Sequence, residues 1–145
     1  MEYGDPQSVE RMRADFDRQG AMQTMGITVS DVKPGQVILG MPFNPKFSQH
    51  HGFMHAGVIT SGMDSACGFA ALTLMDAESE VLTVEFKSSF LAPARGQSFR
   101  FEGDVIKAGR TLTFTEGRTI AVDGDKETKI ATITATMMAV RGLKP

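Results

Sequence analysis

Residues 56–74, AGVITSGMDSACGFAALTL, decide how the rest of the chain is arranged. The run is almost entirely apolar or small, and Asp64 is its only charged side chain. Its length and composition predict one long helix from about Ala56 to Leu74. Each glycine lowers helix propensity by about 1 kcal/mol, so a helix carrying several needs tertiary burial to compensate. The small residues Gly57, Ser61, Gly62, Ser65, Ala66, Gly68, Ala70 and Ala71 would let a sheet approach its surface closely. The helix is therefore expected at the centre of the fold.

Outward from it, everything after Glu80 reads as strand. Val81–Leu91 alternates, with Leu82, Val84, Phe86 and Phe90 expected on one face. Ser98–Ile106, Thr111–Val122 and Thr128–Val140 follow, rich in Thr, Val, Ile and Phe. Turn residues at Pro93-Ala94-Arg95-Gly96, Ala108-Gly109-Arg110 and Asp123-Gly124-Asp125 separate them, and strands joined by such short connections must run antiparallel. Upstream, Ile27–Val32 and Gln36–Met41 are two short strands joined through Lys33-Pro34-Gly35. Pro42 and Pro45 make the stretch to about Met54 irregular. Ser8 to about Met25 has the apolar spacing of a helix, with Ser8 as its cap and Gly26 as its stop. Arg141–Pro145 reads as a frayed tail. The whole is one α+β domain over residues 1–145: a curved antiparallel sheet of about six strands wrapped around a long central helix, the hotdog arrangement.

Composition narrows the function classes. The 145 residues are 41% hydrophobic and 22% charged, the values of an ordinary globule. A net charge of -2 offers no footprint for nucleic acid. No apolar run reaches the roughly 18 residues of a membrane span. The opening MEYGDPQSVERM lacks the basic patch and apolar core of a secretory signal, so a cytoplasmic protein is expected. Cys67 is the single cysteine, which rules out an internal disulfide. Its apolar, small-residue surroundings favour packing over nucleophilic chemistry.

A carboxylate inside an apolar helix is costly unless it serves a purpose. Asp64 is thus the first candidate for a general base or nucleophile, against the plainer reading of a solvent-facing helix edge. The second cluster is Gln49-His50-His51-Gly52-Phe53-Met54-His55-Ala56-Gly57, which ends where the helix begins. It holds all three histidines, but without carboxylate or cysteine partners at familiar spacing it is no metal signature. No metal and no cofactor are expected. His50 and His51 read as surface or packing residues, whereas His55 can orient the turn or meet substrate. The unpaired N–H groups near Ala56 and Gly57 can polarise a carbonyl oxygen. On one regular helix, however, His55 and Asp64 lie about 13.5 Å apart in rise and half a turn in rotation. Either the helix is irregular or two chains share each site, as a two-fold dimer would allow.

The segment GFMHAGVITSGMDSACG, preceded by Gln49 and followed by VLTVEFKSSFLAPARGQ, resembles the phenylacetate-pathway (PaaI-like) branch of hotdog thioesterases. That branch reads Asn-x-x-Gly-x-x-His-Gly-Gly and then an acid after a further short apolar run. Gln49 stands at the first position, Gly52 and His55 match, Ala56 replaces one glycine, Gly57 matches the other, and Asp64 matches the acid. Val84-Glu85-Phe86, Pro93, Gly96 and Gly109-Arg110 fit the later pattern, so the resemblance covers roughly residues 35 to 140. It implies an acyl-CoA thioesterase of lipid metabolism, assembled as a dimer or a dimer of dimers. It further implies that Asp64 is base or nucleophile, assisted by Thr83. Gln49 and the Ala56 N–H of a neighbouring subunit would hold the thioester carbonyl. Gln49 is a methylene longer than the usual Asn but keeps the amide donor, and Ala56 keeps its N–H while narrowing the turn.

Met54, Met63, Phe69 and Phe90 are candidates to line an acyl pocket, although Met and Phe fill cores routinely. Ten methionines would suit an adaptable site for medium or long acyl chains or aryl-acyl groups. Arg95, Lys107 and Arg110 can pair with the phosphates of coenzyme A, or remain solvated loop charges. An acyl-carrier thioester presents the same pantetheine arm. Two other functions compete: a 3-hydroxyacyl-thioester dehydratase, which needs a His as acid–base partner to the carboxylate, and a non-catalytic acyl-CoA-binding protein.

Overall fold

The computed structural model describes residues 7–143. Met1–Pro6, which carry half of the sequence considered for a leader, and the last two tail residues lie outside them. Helices α1 (Ser8–Asp17) and α2 (Gly20–Met25) lead into β1 (Thr28–Lys33) and β2 (Gln36–Pro42). A single 3₁₀ turn at Pro45–Phe47 precedes α3 (Ala56–Leu72), and β3 (Ser79–Phe90), β4 (Ser98–Ala108), β5 (Leu112–Asp123) and β6 (Lys126–Arg141) complete the chain. The six strands form one sheet in the order β1-β2-β4-β5-β6-β3, antiparallel throughout. Helix α3 packs on its concave face against β2 to β6. This is the expected α+β hotdog fold.

The small residues of α3 explain its close seat on the sheet. A Cβ at Gly62 would collide with the ring of Phe101, and one at Gly103 with the backbone of Ala66. Around them Ile59, Met63, Ala66, Cys67, Phe99, Phe101, Ile133 and Met137 are buried in one core. The glycines thus permit helix and sheet to meet at backbone distance, and that burial offsets their poor helix propensity.

Three local expectations need correction. The amphipathic run from Ser8 is two helices, broken at Arg18-Gln19, where the Gln19 backbone turns extended (φ -81°, ψ 99°). Its N-cap is Gln7, and Ser8 is a buried first-turn residue that makes no side-chain cap. Gly26 does stop the segment, at φ +73° in the left-handed region that glycine tolerates. Second, Leu82, Val84, Phe86 and Phe90 do not share a face. The register of β3 against β6 shifts between Thr83 and Glu85, so Val84 is an extra residue. Leu82 lies beside exposed Met138 on the outer face, whereas Phe86 and Phe90 lie beside buried Ala135 and Ala131 on the inner one. Third, Arg141 is the last residue of β6 and pairs with Asp76 and, at 2.9 Å, Glu78, so this part of the tail is not frayed.

Helix α1 is held by Met12 and Phe16 in the core and by one polar side chain. Arg11 donates to the carbonyls of Asp76 (2.7 Å), Ser79 (3.2 Å), Met75 (3.2 Å) and Leu72 (3.3 Å). These carbonyls lie at and beyond the C-terminus of α3, and those of Leu72 and Asp76 also accept backbone N–H groups of the following turn.

Candidate active site

Asp64 sits midway along α3, half-buried, and Thr83 projects from the start of β3 toward it. The Thr83 hydroxyl donates to Asp64 Oδ1 at 2.9 Å. The bulge at Val84 leaves Thr83 paired with buried Met137 on the inner face, where this bond can form. Burial pushes the Asp64 carboxyl above its ordinary value, and the Thr83 hydrogen bond partly opposes that rise. The pair opens into a cleft of about 560 Å³ lined by Asp15, Arg18, Gln19, Gly20, Asp64, Ser65, Gly68, Phe69, Leu72, Glu80, Val81 and Thr83. A partly desolvated carboxylate at the edge of such a cleft can accept a proton from water or attack an electrophilic carbon.

The second group of candidates sits at the other end of α3. The Gln49–Phe53 loop closes on itself through Gln49 N–H to the Phe53 carbonyl at 2.8 Å. Gln49 Oε1 accepts from the N–H groups of His51 (2.5 Å) and Phe53 (3.2 Å), which fixes the amide and leaves its NH2 as the outward donor. His55 is the N-cap of α3, and its Nδ1 accepts the N–H of Gly57 at 2.8 Å. Gly57 is therefore committed to the cap. The N–H of Ala56 has no partner among the described residues and is exposed at the head of the helix. Gln49 and Ala56 thus offer two free donors, one on the loop that precedes α3 and one at its head, of the kind that can hold an oxyanion.

The two groups are apart within one chain. Helix α3 is regular from Ala56 to Leu72, and eight residues separate Ala56 from Asp64, about 12 Å of rise. The irregular-helix alternative is thereby removed.

The other candidates divide. Met54 and Met63 are core residues, 2% and 0% exposed, and neither lines the cleft. Phe69 does line it, while Phe90 lies exposed on β3. Arg95 stands over the Phe53 ring at 5.1 Å, beside the Gln49 loop. Lys107 and Arg110 lie at the far end of β4, about 33 Å away for ten extended residues. Arg95 is thus separated from Lys107 and Arg110 by the length of β4. His50 stacks on His51 at the surface, with ring centroids 4.1 Å apart. Cys67 is buried, and burial raises its thiol to about 12, which removes it as a nucleophile at neutral pH. Among the described residues no cluster of His, Cys, Asp or Glu could hold a metal ion. No helix of the described residues is long and apolar enough to cross a membrane.

Sequence reading missed the wall formed by Asp15, Arg18, Gln19 and Gly20. The available signal was Gly20, placed where an uninterrupted helix would be weakest.

Comparison with known proteins agrees with this fold. The family model described as the thioesterase superfamily matches residues 51–128. A thioesterase family protein of Silicibacter pomeroyi is 46% identical, with 93% of this chain and 99% of that one covered at a TM-score of 0.92. The PaaI protein of E. coli, from the phenylacetic acid degradation operon, has the same fold (TM-score 0.84) at 14% identity, over 94% of this chain and 95% of that one. A candidate esterase of Saccharolobus solfataricus is 34% identical over 92 residues, which are 63% of this chain and 65% of that relative's length.

Proposed function

Because the chain belongs to the thioesterase superfamily, we propose that it hydrolyses acyl-coenzyme A thioesters to free acid and coenzyme A. The observation that carries this reading is the hydrogen-bonded Asp64–Thr83 pair at the edge of the 560 Å³ cleft. The substrates are medium or long acyl chains or aryl-acyl groups, in keeping with the PaaI-like motif around Gln49, His55 and Asp64. An acyl-carrier thioester presents the same reacting group.

Each site is built from two copies of the chain. Asp64 and Thr83 come from one, and the Gln49 amide and Ala56 N–H come from the other. Two features support this. The free donors are too far from Asp64 within a chain, and β3 is an edge strand with Leu82, Val84, Phe86 and Phe90 all exposed. A long apolar edge of this kind invites pairing with another strand, and a two-fold axis beside it would create two identical sites.

In the proposed reaction the thioester carbonyl oxygen sits on the Gln49 and Ala56 donors. Asp64 takes a proton from water, whose oxygen bonds to the carbonyl carbon, or its own oxygen attacks to give an anhydride that water then opens. Either way the C–S bond breaks and the thiolate leaves, to be protonated. Thr83 orients the carboxylate or the water. His55 holds the turn, with Nδ1 occupied by Gly57. Gly57 completes that cap at the exposed head of the helix, and Met54 and Met63 support the site from the core. Arg95, beside the Gln49 loop, and Lys107 and Arg110, at the other end of β4, are offered to the phosphates of coenzyme A.

The test is release of free thiol from a panel of acyl-CoA substrates, with Asp64→Asn beside the wild type. Loss of a general base costs about 10²–10⁴-fold, and the variant should keep its fold and assembly. Near wild-type turnover by Asp64→Asn would refute the assignment. Ligand binding without thiol release would favour a binding protein, and water addition or loss at a 3-hydroxyacyl thioester would favour a dehydratase.

A further inference from the structure

The cleft continues well past Asp64 and Thr83. Its floor follows α3 through Ser65, Gly68 and Phe69 to Leu72, positions that fall on one side of the helix, with Val81 beside them. From Asp64 to Leu72 is about 12 Å of rise. The break between α1 and α2 stands over this floor with Arg18, Gln19 and Gly20. Its volume lies within the range of about 300–1,000 Å³ usual for small-molecule sites.

Two glycines of α3 have different surroundings. Gly62 is required by packing, since a Cβ there would run into the Phe101 ring. Gly68 is not: its Cβ would meet only the Met137 side chain, with sulfur at 3.9 Å and methyl at 4.0 Å, ordinary contact distances. The protein has room for a side chain at 68, and glycine in a helix interior is the least stable choice short of proline. What a side chain there would take up is the cleft.

We infer that Gly68 sets the acyl specificity of the site, by leaving the floor open to an extended apolar acyl group running from Asp64 toward the α1–α2 junction. This rests on the thioesterase reading above. The carbonyl lies by Asp64, the tail passes over Gly68 against Phe69, Leu72 and Val81, and the ion pair of Asp15 with Arg18, together with Glu80, supplies the polar part of the wall.

The experiment measures kcat/KM for straight-chain acyl-CoA substrates from acetyl to dodecanoyl with the wild type, Gly68→Ala and Gly68→Leu. The ratio of long-chain to short-chain kcat/KM should fall in that order, by at least about tenfold for leucine, the scale at which a pocket discriminates one or more methylenes. Gly68→Ala should melt no lower than the wild type, because alanine is the better helix former. An unchanged ratio, or an equal loss at every length, would overturn the assignment of Gly68 alone. A wild type that releases thiol from no substrate would remove the hydrolase reading as well.

Discussion

Asp64 sits in surroundings that oppose its charge. Its folded value is raised above the ordinary 3.8 chiefly by burial, so the native state holds the proton more tightly than the unfolded chain does. Stability from this group is therefore greatest at low pH and declines as pH rises from about the ordinary value through the raised one. Asp64→Asn removes that penalty and still accepts the Thr83 hydroxyl. It should melt above the wild type at pH 8, with the gap closing as pH falls toward 4; a gap independent of pH would contradict the desolvated carboxylate. At this scale the sequence was informative where chemistry is rare. A lone acid among apolar residues announces itself, and Asp64, which lines the cleft, is legible in that way. Thr83 has no such signal and came only through family resemblance. Gly68 could not be separated from Gly62, because what distinguishes them is a Phe101 ring supplied by a distant strand.

The helices show the same division. Helix α3 was legible from its composition, and its observed end at Leu72 falls two residues short of the expected one. The break between α1 and α2 and the role of Arg11 were not, since a local pattern does not reveal which remote carbonyls a guanidinium will meet. Arg11 joins α1 to the end of α3 through four carbonyls. Hydrogen bonds of a charged donor are worth about 1.5–3 kcal/mol net in favourable cases. Arg11→Met, which keeps an apolar stem, should cost about 2 kcal/mol, a fall of roughly 4–8 °C in Tm for a domain of this size. Thermal melts at matched protein concentration check this, and an unchanged Tm would mean that the cap is energetically idle.

For the whole molecule, all six strands and their antiparallel sense could be read from turn residues and alternation. Their order could not: β3 leaves α3 and crosses to the far edge beside β6, a long-range pairing with no local signature. That placement leaves one edge of β3 uncovered, and on it rests the proposal that two copies complete each site. Mixing offers a direct check. Chains bearing Asp64→Asn and chains bearing Gln49→Leu should each be nearly inactive alone. A mixed dimer would regain one intact site, so an exchanged equimolar mixture should recover roughly a quarter of wild-type activity. No recovery after demonstrated exchange would place both residues in the same chain's site. The extra residue at Val84 bears on this assembly too. In an uninterrupted strand the inward positions after Thr83 would be Glu85 and Lys87; the half-step at Val84 turns those charges to water and brings Phe86, Ser88 and Phe90 inward instead. One inserted residue thereby decides what β3 can offer a neighbour, setting the strand out of phase with its own beginning so that a polar hydroxyl and an oily margin both look the same way.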